Sequence, residues 1–257
     1  MTEIHPTAVV DPSAEIGEDT IIGPHCVIGA SVRLGRGNRL LNHVSIAGPT
    51  AIGDDNTFFP FTSIGQRTQD LKYAGEPTHL RIGNGNSFRE FCTVNRGTAP
   101  DSWTVVGNHG NFLAYAHIAH DCTVGDHVIF SNNGTLAGHC RVEDHAVIGG
   151  LSGVHQFCRI GRHAIVGGCT KIVQDVPPFM IADGNPAEIR GINQVGLERR
   201  GFAPEDIRAL REAYRLVWRS NQNVSQSLEA IEQKIELREP VRQFLDFIRA
   251  SQRGIVR

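Results

Sequence analysis

Histidines and one aspartate are concentrated in the middle of the chain. The group comprises His117, His120, Asp121, His139 and His155. Imidazole titrates close to neutral pH, and a neighbouring carboxylate orients the ring and stabilises its charged form. Four histidines with one carboxylate are therefore suited to proton transfer, provided that the fold brings them together.

The fold that positions these residues is indicated by a repeat of six. Every sixth residue from Ile4 to Ile172 is aliphatic or Phe, with three exceptions, Asp70, Glu76 and Pro100. A helix repeats every 3.6 residues and a strand every 2, so neither explains this period. A short strand followed by a corner does explain it. Three such units close a triangular coil of 18 residues, and stacked coils pair as parallel strands.

The residues between the apolar positions describe the inside of the coil. The fourth residue after each apolar position is nearly always small, which predicts a narrow interior. Glycine often follows the apolar position directly, as expected where the chain must turn sharply or take a positive φ. Cys122, Cys140 and Cys158 occupy the small position. They are expected to be buried, reduced thiols rather than a zinc site or disulfides.

A coil of 18 residues places residues 18 apart above one another. His120, Gly138 and Gln156 form one such stack, in which a bare glycine lets a carbonyl group approach the main-chain N–H. A second stack contains histidines only, and it does not converge on one point as metal ligands must. We expect exposed corner positions for its members, His109, His127, His145 and His163.

The chain divides into two predicted domains. Residues 1–177 form the parallel β-helix of about nine coils, with loops near 66–81 and 97–104, and residues 178–257 form a helical domain. A polar loop of this length on a compact solenoid is usually functional. Its side chains that could reach a substrate are Gln69, Asp70 and Lys72. The predicted helices carry apolar faces at 207–218, 228–235 and 241–248, the first beginning at Pro204.

Composition excludes several classes of protein. The chain has 25 Lys and Arg against 27 Asp and Glu and no basic run, so it lacks the footprint of nucleic-acid binding. Apolar runs of roughly 18 residues are absent, so stable membrane insertion is not expected. The N-terminal segment, MTEIHPTAVVD, does not resemble a signal peptide, and we predict a cytoplasmic protein.

Motifs along nearly the whole chain resemble one enzyme family. They are QDLKYAGEPT at 69–78, NRGT at 95–98, AHIAHDCTVG at 116–125, TLAGH at 135–139, VHQF at 154–157, VGGC at 166–169, QDVPP at 174–178 and GLERRGF at 196–202. This set is similar to the acyl-carrier-protein-dependent UDP-N-acetylglucosamine O-acyltransferases of lipid A synthesis. The resemblance implies a left-handed parallel β-helix.

The resemblance also implies roles for individual residues. His120 matches the general base that removes the proton of the sugar 3-hydroxyl, Asp121 would hold its ring, and Gly138 matches the backbone donor of the oxyanion hole. The residues that match contacts to the sugar nucleotide and the acyl arm are His117, His139, His155, Gln156 and Lys72, with Asp70 and Gln69 beside them. Those that match uridine and phosphate contacts are Asn193, Arg199 and Arg200.

Substrates and partners follow from the same resemblance. Gly168 falls where the family sets acyl-chain length, and Gly150 lies one coil below it, so a long 3-hydroxyacyl chain is expected. The implied partners are acyl carrier protein, UDP-N-acetylglucosamine and two further copies of the chain in a homotrimer. No metal or organic cofactor is implied, because the donor thioester on the carrier's phosphopantetheine is already activated. The sequence departs from the family at Asn95, where His is expected, and at Glu198, where a basic residue is common.

Three alternatives remain open at this stage. The related N-acyltransferase of the same pathway acts on an amine instead of a hydroxyl. A zinc-dependent carbonic anhydrase of the gamma class uses the same repeat with histidines from two subunits. A scaffold without enzymatic activity would have no need of the polar loop or of the histidine cluster.

Overall fold

The computed structural model describes all 257 residues and shows a left-handed parallel β-helix followed by helices, which confirms the predicted fold class. Three sheets form the sides of a triangular prism, and we call them sheets A, B and C. The edge AB joins sheet A to sheet B, and the edges BC and CA are named in the same way.

The strands are short and recur in the order A, B, C along the chain. Sheet A contains β1 (Glu3–Ile4), β4 (Ile21–Ile22), β7 (Arg39–Leu40), β10 (Thr57–Phe58), β13 (Ser87–Phe88), β16 (Asn111–Phe112), β19 (Ile129–Phe130), β22 (Val147–Ile148), β25 (Ile165–Val166), β27 (Met180–Asp183) and β28 (Glu188–Ile192). Sheet B contains β2 (Val9–Val10), β5 (Val27–Ile28), β8 (Ser45–Ile46), β11 (Ser63–Gln66), β14 (Thr93–Asn95), β17 (His117–Ile118), β20 (Thr135–Leu136), β23 (Gly153–Val154) and β26 (Lys171–Ile172). Sheet C contains β3 (Glu15–Ile16), β6 (Val32–Leu34), β9 (Thr50–Ile52), β12 (His79–Ile82), β15 (Trp103–Val106), β18 (Thr123–Val124), β21 (Arg141–Val142) and β24 (Arg159–Ile160).

The apolar residue of each repeat points into the prism and forms the core. Parallel pairing places Ile118 beside Leu136, 18 residues further along the chain, as the repeat predicts. Phenylalanines stack inside sheet A, with 4.7 Å between the ring centroids of Phe88 and Phe112. The cysteines at the small position, Cys122 and Cys140 among them, are fully buried and unpaired, which confirms their predicted place.

The corners turn at a different residue from the one that the sequence predicts. Most positive φ angles lie three residues after the apolar position, for example at Asp121 (58°) and His139 (61°). Of the glycines directly after an apolar position, Gly17 and Gly23 do not have a positive φ, whereas Gly65 does (72°). Glycine is needed at those positions for space. A Cβ atom at Gly17 would lie 2.7 Å from the backbone nitrogen of Arg36 in the next coil.

The histidine stack runs along edge CA. Its predicted exposure is confirmed for two of the four histidines and wrong for the other two. Adjacent rings stack with centroids 5.0, 4.8 and 4.7 Å apart. His109 and His127 are exposed, but His145 and His163 are partly buried and their Nδ1 atoms are sealed without a hydrogen-bond partner. The difference arises because the C-terminal region covers this end of the edge: Phe179 and Phe202 contact the ring of His163.

Two excursions interrupt the repeat, and both leave the prism at edge BC. Residues 67–78 connect β11 to β12, and residues 96–102 connect β14 to β15. They are shorter than the predicted loops near 66–81 and 97–104. The reason is that β12 and β15 each extend to four residues and pair with each other along their whole length.

The C-terminal region packs on the last coils. Parallel stacking continues through β27, which pairs with β25, and β28 turns back antiparallel to β27. The helices are α1 (Gln194–Arg199), α2 (Pro204–Trp218), α3 (Val224–Lys234) and α4 (Glu239–Arg249). The three patterned helices match their predicted faces, while the hairpin and α1 were not predicted. Strands continue beyond residue 178, as far as Ile192, so the secondary structure does not mark a boundary between 177 and 178. The division into two domains there remains a prediction. None of the helices has the length and apolar character needed to cross a membrane.

Candidate active site

The proposed base lies on edge BC beside the aspartate that follows it. Nδ1 of His120 is 2.8 Å from Oδ2 of Asp121. The two side chains are 12% and 10% exposed, so little water competes for this hydrogen bond. Nε2 of His120 has no partner in the chain and is not sealed from solvent. With Nδ1 held by the carboxylate, Nε2 is the atom that is free to accept a proton.

Asp121 is fixed from the coil beneath it. Its backbone N–H donates to the hydroxyl of Thr104 at 2.8 Å, and its Oδ1 accepts the backbone N–H of Thr98 at 3.2 Å. Burial alone would raise the pKa of Asp121, but the hydrogen bonds from His120 and Thr98 outweigh it and hold that pKa below its ordinary value. The carboxylate is therefore ionised beside the imidazole, where it stabilises an imidazolium.

Gly138 lies directly above His120 and contacts its ring. A Cβ atom at residue 138 would lie 2.5 Å from Nε2 of His120, so only glycine leaves room for the imidazole. The carbonyl of Gly138 accepts the N–H of Phe157 at 3.1 Å, whereas its own N–H has no acceptor in the chain. An unpaired backbone N–H beside a base is the arrangement that an oxyanion hole requires.

Two further histidines flank the pair. Nε2 of His139 is 3.8 Å from Oδ2 of Asp121, and its ring stands edge-on to that of His120 with 5.2 Å between centroids. The other face of His139 stacks on Phe157. Nδ1 of His117 lies 2.7 Å from the Thr93 hydroxyl. Burial, and then the charge of His120, lower the pKa of His117, so its ring is neutral at neutral pH.

His155 and Gln156 lie on the coils above the base, as the stacking argument predicts. Both are exposed, and the Gln156 side chain has no partner in the chain. Nδ1 of His155 is 3.2 Å from the backbone oxygen of Gln156 and 3.5 Å from the guanidinium of Arg253. No sequence pattern indicated a role for Arg253, because this residue lies in a C-terminal segment without a repeat.

The loop residues approach the site from the coils below. Gln69 and Lys72 are exposed, and Oδ1 of Asp70 accepts the backbone N–H of Lys72 at 2.9 Å. The loop is tied to the base through Thr68, whose hydroxyl accepts a hydrogen bond from that of Thr98 at 2.7 Å. Thr98 in turn contacts Asp121, so the two excursions and the base form one connected structure.

Asn95, where the family resemblance leads us to expect histidine, supports this loop. Its side chain is 5% exposed, and its Nδ2 donates to the backbone oxygen of Arg67 at 3.1 Å. Its Oδ1 is buried without a partner. Asn95 therefore holds the start of the loop beside the cleft that Gln69 and Asp70 line.

The residues predicted for uridine and phosphate lie on another edge of the prism. The Asn193 side chain caps α1 by accepting the N–H of Gly196 and donates to the backbone oxygen of His163 at 2.9 Å. Arg199 is the last residue of α1 and Arg200 follows it; both are exposed, and the charge of Arg200 lowers the pKa of His163. This places the group on edge CA, so one chain does not bring it together with His120 on edge BC.

Gly168 lies on the third edge, AB. It is exposed, and a Cβ atom there would meet only the backbone oxygen of Gly150, at 3.4 Å. Neither glycine has a positive φ. The fold itself therefore does not require glycine at residue 168, and the bare backbone leaves space on the surface. Glu198, the second departure from the family, accepts a hydrogen bond from Gln194 within α1.

One group of side chains could also hold a metal ion: His120, Asp121 and His139. Their ligand atoms lie within 4.8 Å of one another. The two closest atoms, Nδ1 of His120 and Oδ2 of Asp121, are already joined by a hydrogen bond, and a metal would have to displace its proton. The arrangement therefore fits a hydrogen-bonded acid–base pair better than a ligand set.

Comparison with known proteins decides the family. A relative from Thermodesulfovibrio yellowstonii, named acyl-[acyl-carrier-protein]–UDP-N-acetylglucosamine O-acyltransferase, is 48% identical over the full length of both chains. The chain belongs to this family of O-acyltransferases. The family model described as UDP N-acetylglucosamine O-acyltransferase, domain 2, matches residues 175–256.

Solved structures of O-acyltransferases have the same fold over the whole chain. The enzyme of Acinetobacter baumannii is 46% identical with a TM-score of 0.95, and each chain is 99% covered. That of Moraxella catarrhalis is 45% identical with a TM-score of 0.94 and the same coverage. These relatives favour an O-acyltransferase over the N-acyltransferase and the zinc-dependent hydratase, and an enzyme over a scaffold.

Proposed function

We propose that the O-acyltransferase transfers an acyl group from the thioester of acyl carrier protein to the 3-hydroxyl of UDP-N-acetylglucosamine, the first step of lipid A synthesis. The observation that carries this proposal is the hydrogen bond of 2.8 Å that leaves Nε2 of His120 free next to the unpaired N–H of Gly138. A base and an oxyanion donor at one point are what acyl transfer needs.

The reaction proceeds in two steps at this point. Nε2 of His120 removes the proton of the sugar hydroxyl while the hydroxyl oxygen attacks the thioester carbonyl, and the N–H of Gly138 stabilises the resulting oxyanion. Asp121 stabilises the imidazolium through Nδ1. The tetrahedral intermediate then breaks its carbon–sulfur bond, and the imidazolium protonates the departing thiolate.

The placement of the predicted contacts supports a homotrimer. The base is on edge BC, the residues Asn193, Arg199 and Arg200 are on edge CA, and Gly168 is on edge AB, so a single prism cannot present all of them to one substrate. Three prisms side by side would close three clefts, each between different edges of neighbouring subunits. Edge AB carries exposed apolar side chains that a neighbour would cover, including Phe61 (49% exposed) and Tyr115 (53%).

The roles of the remaining residues follow from their positions. The sugar nucleotide would contact His117, His155, Gln156, Gln69, Asp70 and Lys72, and the acyl arm would contact His139. A long 3-hydroxyacyl chain would pass Gly168, since nothing but the backbone of Gly150 lies beside that residue. The activated thioester means that no cofactor is needed. The unpaired cysteines are in keeping with a cytoplasmic location.

The test is a reconstituted reaction with purified protein, acyl carrier protein thioesters and UDP-N-acetylglucosamine. We expect the 3-O-acyl product, and a loss of about 10²- to 10⁴-fold in turnover for His120→Ala, the usual contribution of a general base. Circular dichroism and the melting temperature of the variant should match those of the unchanged protein. The absence of product with every donor would overturn the proposal.

A further inference from the structure

A chain of hydrogen bonds leads from the first excursion to the base. We call residues 67–78 of this excursion the substrate loop, since it carries residues proposed to bind the sugar nucleotide. Oδ1 of Asp70 accepts the backbone N–H of Lys72 at 2.9 Å, and the N–H of Asp70 donates to the hydroxyl oxygen of Thr68 at 3.0 Å. The same oxygen accepts the hydroxyl of Thr98, in the second excursion, at 2.7 Å. The proposed nucleotide contacts are thus bonded, through Thr68, to Thr98.

Thr98 carries this connection to the base. Its backbone N–H donates to Oδ1 of Asp121 at 3.2 Å, and Oδ2 of the same carboxylate is 2.8 Å from Nδ1 of His120. The two bonds use different oxygen atoms of one rigid carboxylate group. A displacement of Thr98 would therefore rotate the carboxylate and change the direction of the bond that holds the imidazole.

The contact between the two threonines is shielded from water. Thr68 is only 5% exposed although it lies in a loop, and Thr98 is partly buried. Water competes little for a hydrogen bond in such surroundings, and the bond is stronger there than on an open surface. Removal of one hydroxyl would leave the other without this partner in a place that water reaches poorly. The contact can therefore fix the position of Thr98 relative to the substrate loop.

Both ends of the substrate loop are also bonded to the segment 95–102. At the beginning of the loop, Nδ2 of Asn95 donates to the backbone oxygen of Arg67 at 3.1 Å. At the end, the backbone N–H of Asp101 donates to the backbone oxygen of Pro77 at 2.8 Å. The two excursions therefore form a single unit. A ligand that orders the loop also orders the segment that contacts Asp121.

We propose that Thr98 is a positioning residue that couples binding of the sugar nucleotide at the substrate loop to the alignment of His120. This inference rests on the proposed acyl transfer and on the proposed role of the loop. When the sugar nucleotide orders the loop, Thr68 and Thr98 hold the carboxylate of Asp121, and the imidazole is aligned for proton removal. The rate of proton transfer depends on that alignment, so a residue that takes no part in the transfer can still change kcat.

The test is a double-variant cycle on the two threonines in the reconstituted reaction. We expect Thr68→Val and Thr98→Val each to raise KM for UDP-N-acetylglucosamine and to lower kcat about three- to tenfold, the effect of losing one hydrogen bond. The double variant should lose no more than either single variant, because both changes remove the same contact. Thr98→Ser keeps the hydroxyl and should retain kcat within about twofold. Thr57→Val, in β10 of sheet A, is the matched control, and melting temperatures show whether each variant is folded.

The decisive value is kcat of Thr68→Val, because Thr68 is bonded to Thr98 and to Asp70 but not to the base. A rise in KM without a change in kcat would show that the loop acts on binding alone and would overturn the inference. Losses in kcat that multiply in the double variant would show that the two hydroxyls act independently. An equal loss in Thr98→Ser or in Thr57→Val would show that the hydroxyl contact is not the cause. If the unchanged protein forms no 3-O-acyl product with any donor, the proposed function itself fails, whatever the variants do.

Discussion

The imidazole of His120 occupies the space that a side chain at Gly138 would need. A Cβ atom at residue 138 would lie 2.5 Å from Nε2, the atom that has to accept the substrate's proton. Gly138 does not have a positive φ, so the backbone alone would tolerate another residue. Glycine is needed here because the base and the oxyanion donor must lie against each other.

Replacement of Gly138 by alanine should therefore displace the base. We expect Gly138→Ala to lower kcat by about 10²-fold, because a misplacement of about 1 Å is enough for such a loss. Steady-state kinetics measures it, and the melting temperature shows whether the prism is intact. Gly153→Ala is the control, since a Cβ atom there meets nothing within 4 Å. A kcat within about threefold of the unchanged protein would show that His120 is not held against residue 138 during the reaction.

The carboxylate of Asp121 should be required for turnover more than for substrate binding. Asp121→Asn removes the charge that stabilises the imidazolium, so we expect kcat to fall about 10²-fold or more with little change in KM. Because hydrogen bonds hold the pKa of Asp121 below its ordinary value, its protonation should not limit the unchanged enzyme between pH 5 and 9. The pH profile of kcat measures this.

Asp126→Asn is a suitable comparison for that variant. Asp126 also bonds a neighbouring coil, through the N–H of Asn108, but has no histidine ring on its carboxylate. If both variants lost activity equally, the contribution of Asp121 would be structural rather than electrostatic.

The sequence predicted the prism and the stacks because a strict repeat fixes the position of each residue along the axis of the prism. It placed Gly138 and Gln156 above His120 correctly for that reason. The repeat carries no information about side-chain partners in the excursions, so the contacts of Thr98 with Asp121 and Thr68 were not predicted. Nor does it reveal which edge a C-terminal segment will cover, and for that reason the burial of His163 and the position of Arg253 were missed.

Acyl-chain length should depend on the open surface at Gly168. We expect Gly168→Met to shorten the accepted chain by several carbons, because the side chain would extend over the bare backbone of Gly150. Mass spectrometry of products from a mixture of carrier thioesters measures the preference. Gly29→Met is the control, as it adds the same side chain at a glycine in the early coils. An unaltered product distribution would mean that the chain does not pass residue 168.

Removal of metal ions should leave the enzyme active. The acid–base pair of His120 and Asp121 uses the atoms that a metal would need, so we expect dialysis against a strong chelator to leave kcat within experimental error. Elemental analysis before and after dialysis shows what was removed. Stoichiometric zinc together with loss of activity, restored by zinc, would replace the acid–base mechanism with metal-assisted chemistry.

His163 should make the protein sensitive to acid. Its ring lies between those of His145 and Phe179, and burial, followed by the charges of His145, Arg200 and Arg162, lowers the pKa of His163 to about 4, with Asp144 acting in the opposite direction. Between the ordinary pKa of 6.5 and about 4, the unfolded chain binds more protons than the folded one. The free energy of unfolding therefore decreases as the pH falls through this range.

Replacement of His163 by phenylalanine, whose ring stays neutral, should remove this contribution to the acid sensitivity of the fold. We expect the melting temperature of His163→Phe to fall less between pH 7 and pH 5 than that of the unchanged protein, because phenylalanine keeps the stacking and takes up no proton. Differential scanning calorimetry at both pH values measures the difference. His25→Phe, which replaces an exposed histidine whose ring centroid lies 5.0 Å from that of His43 at the other end of the prism, is the control. Equal losses in all three proteins would show that the acid sensitivity arises elsewhere in the chain.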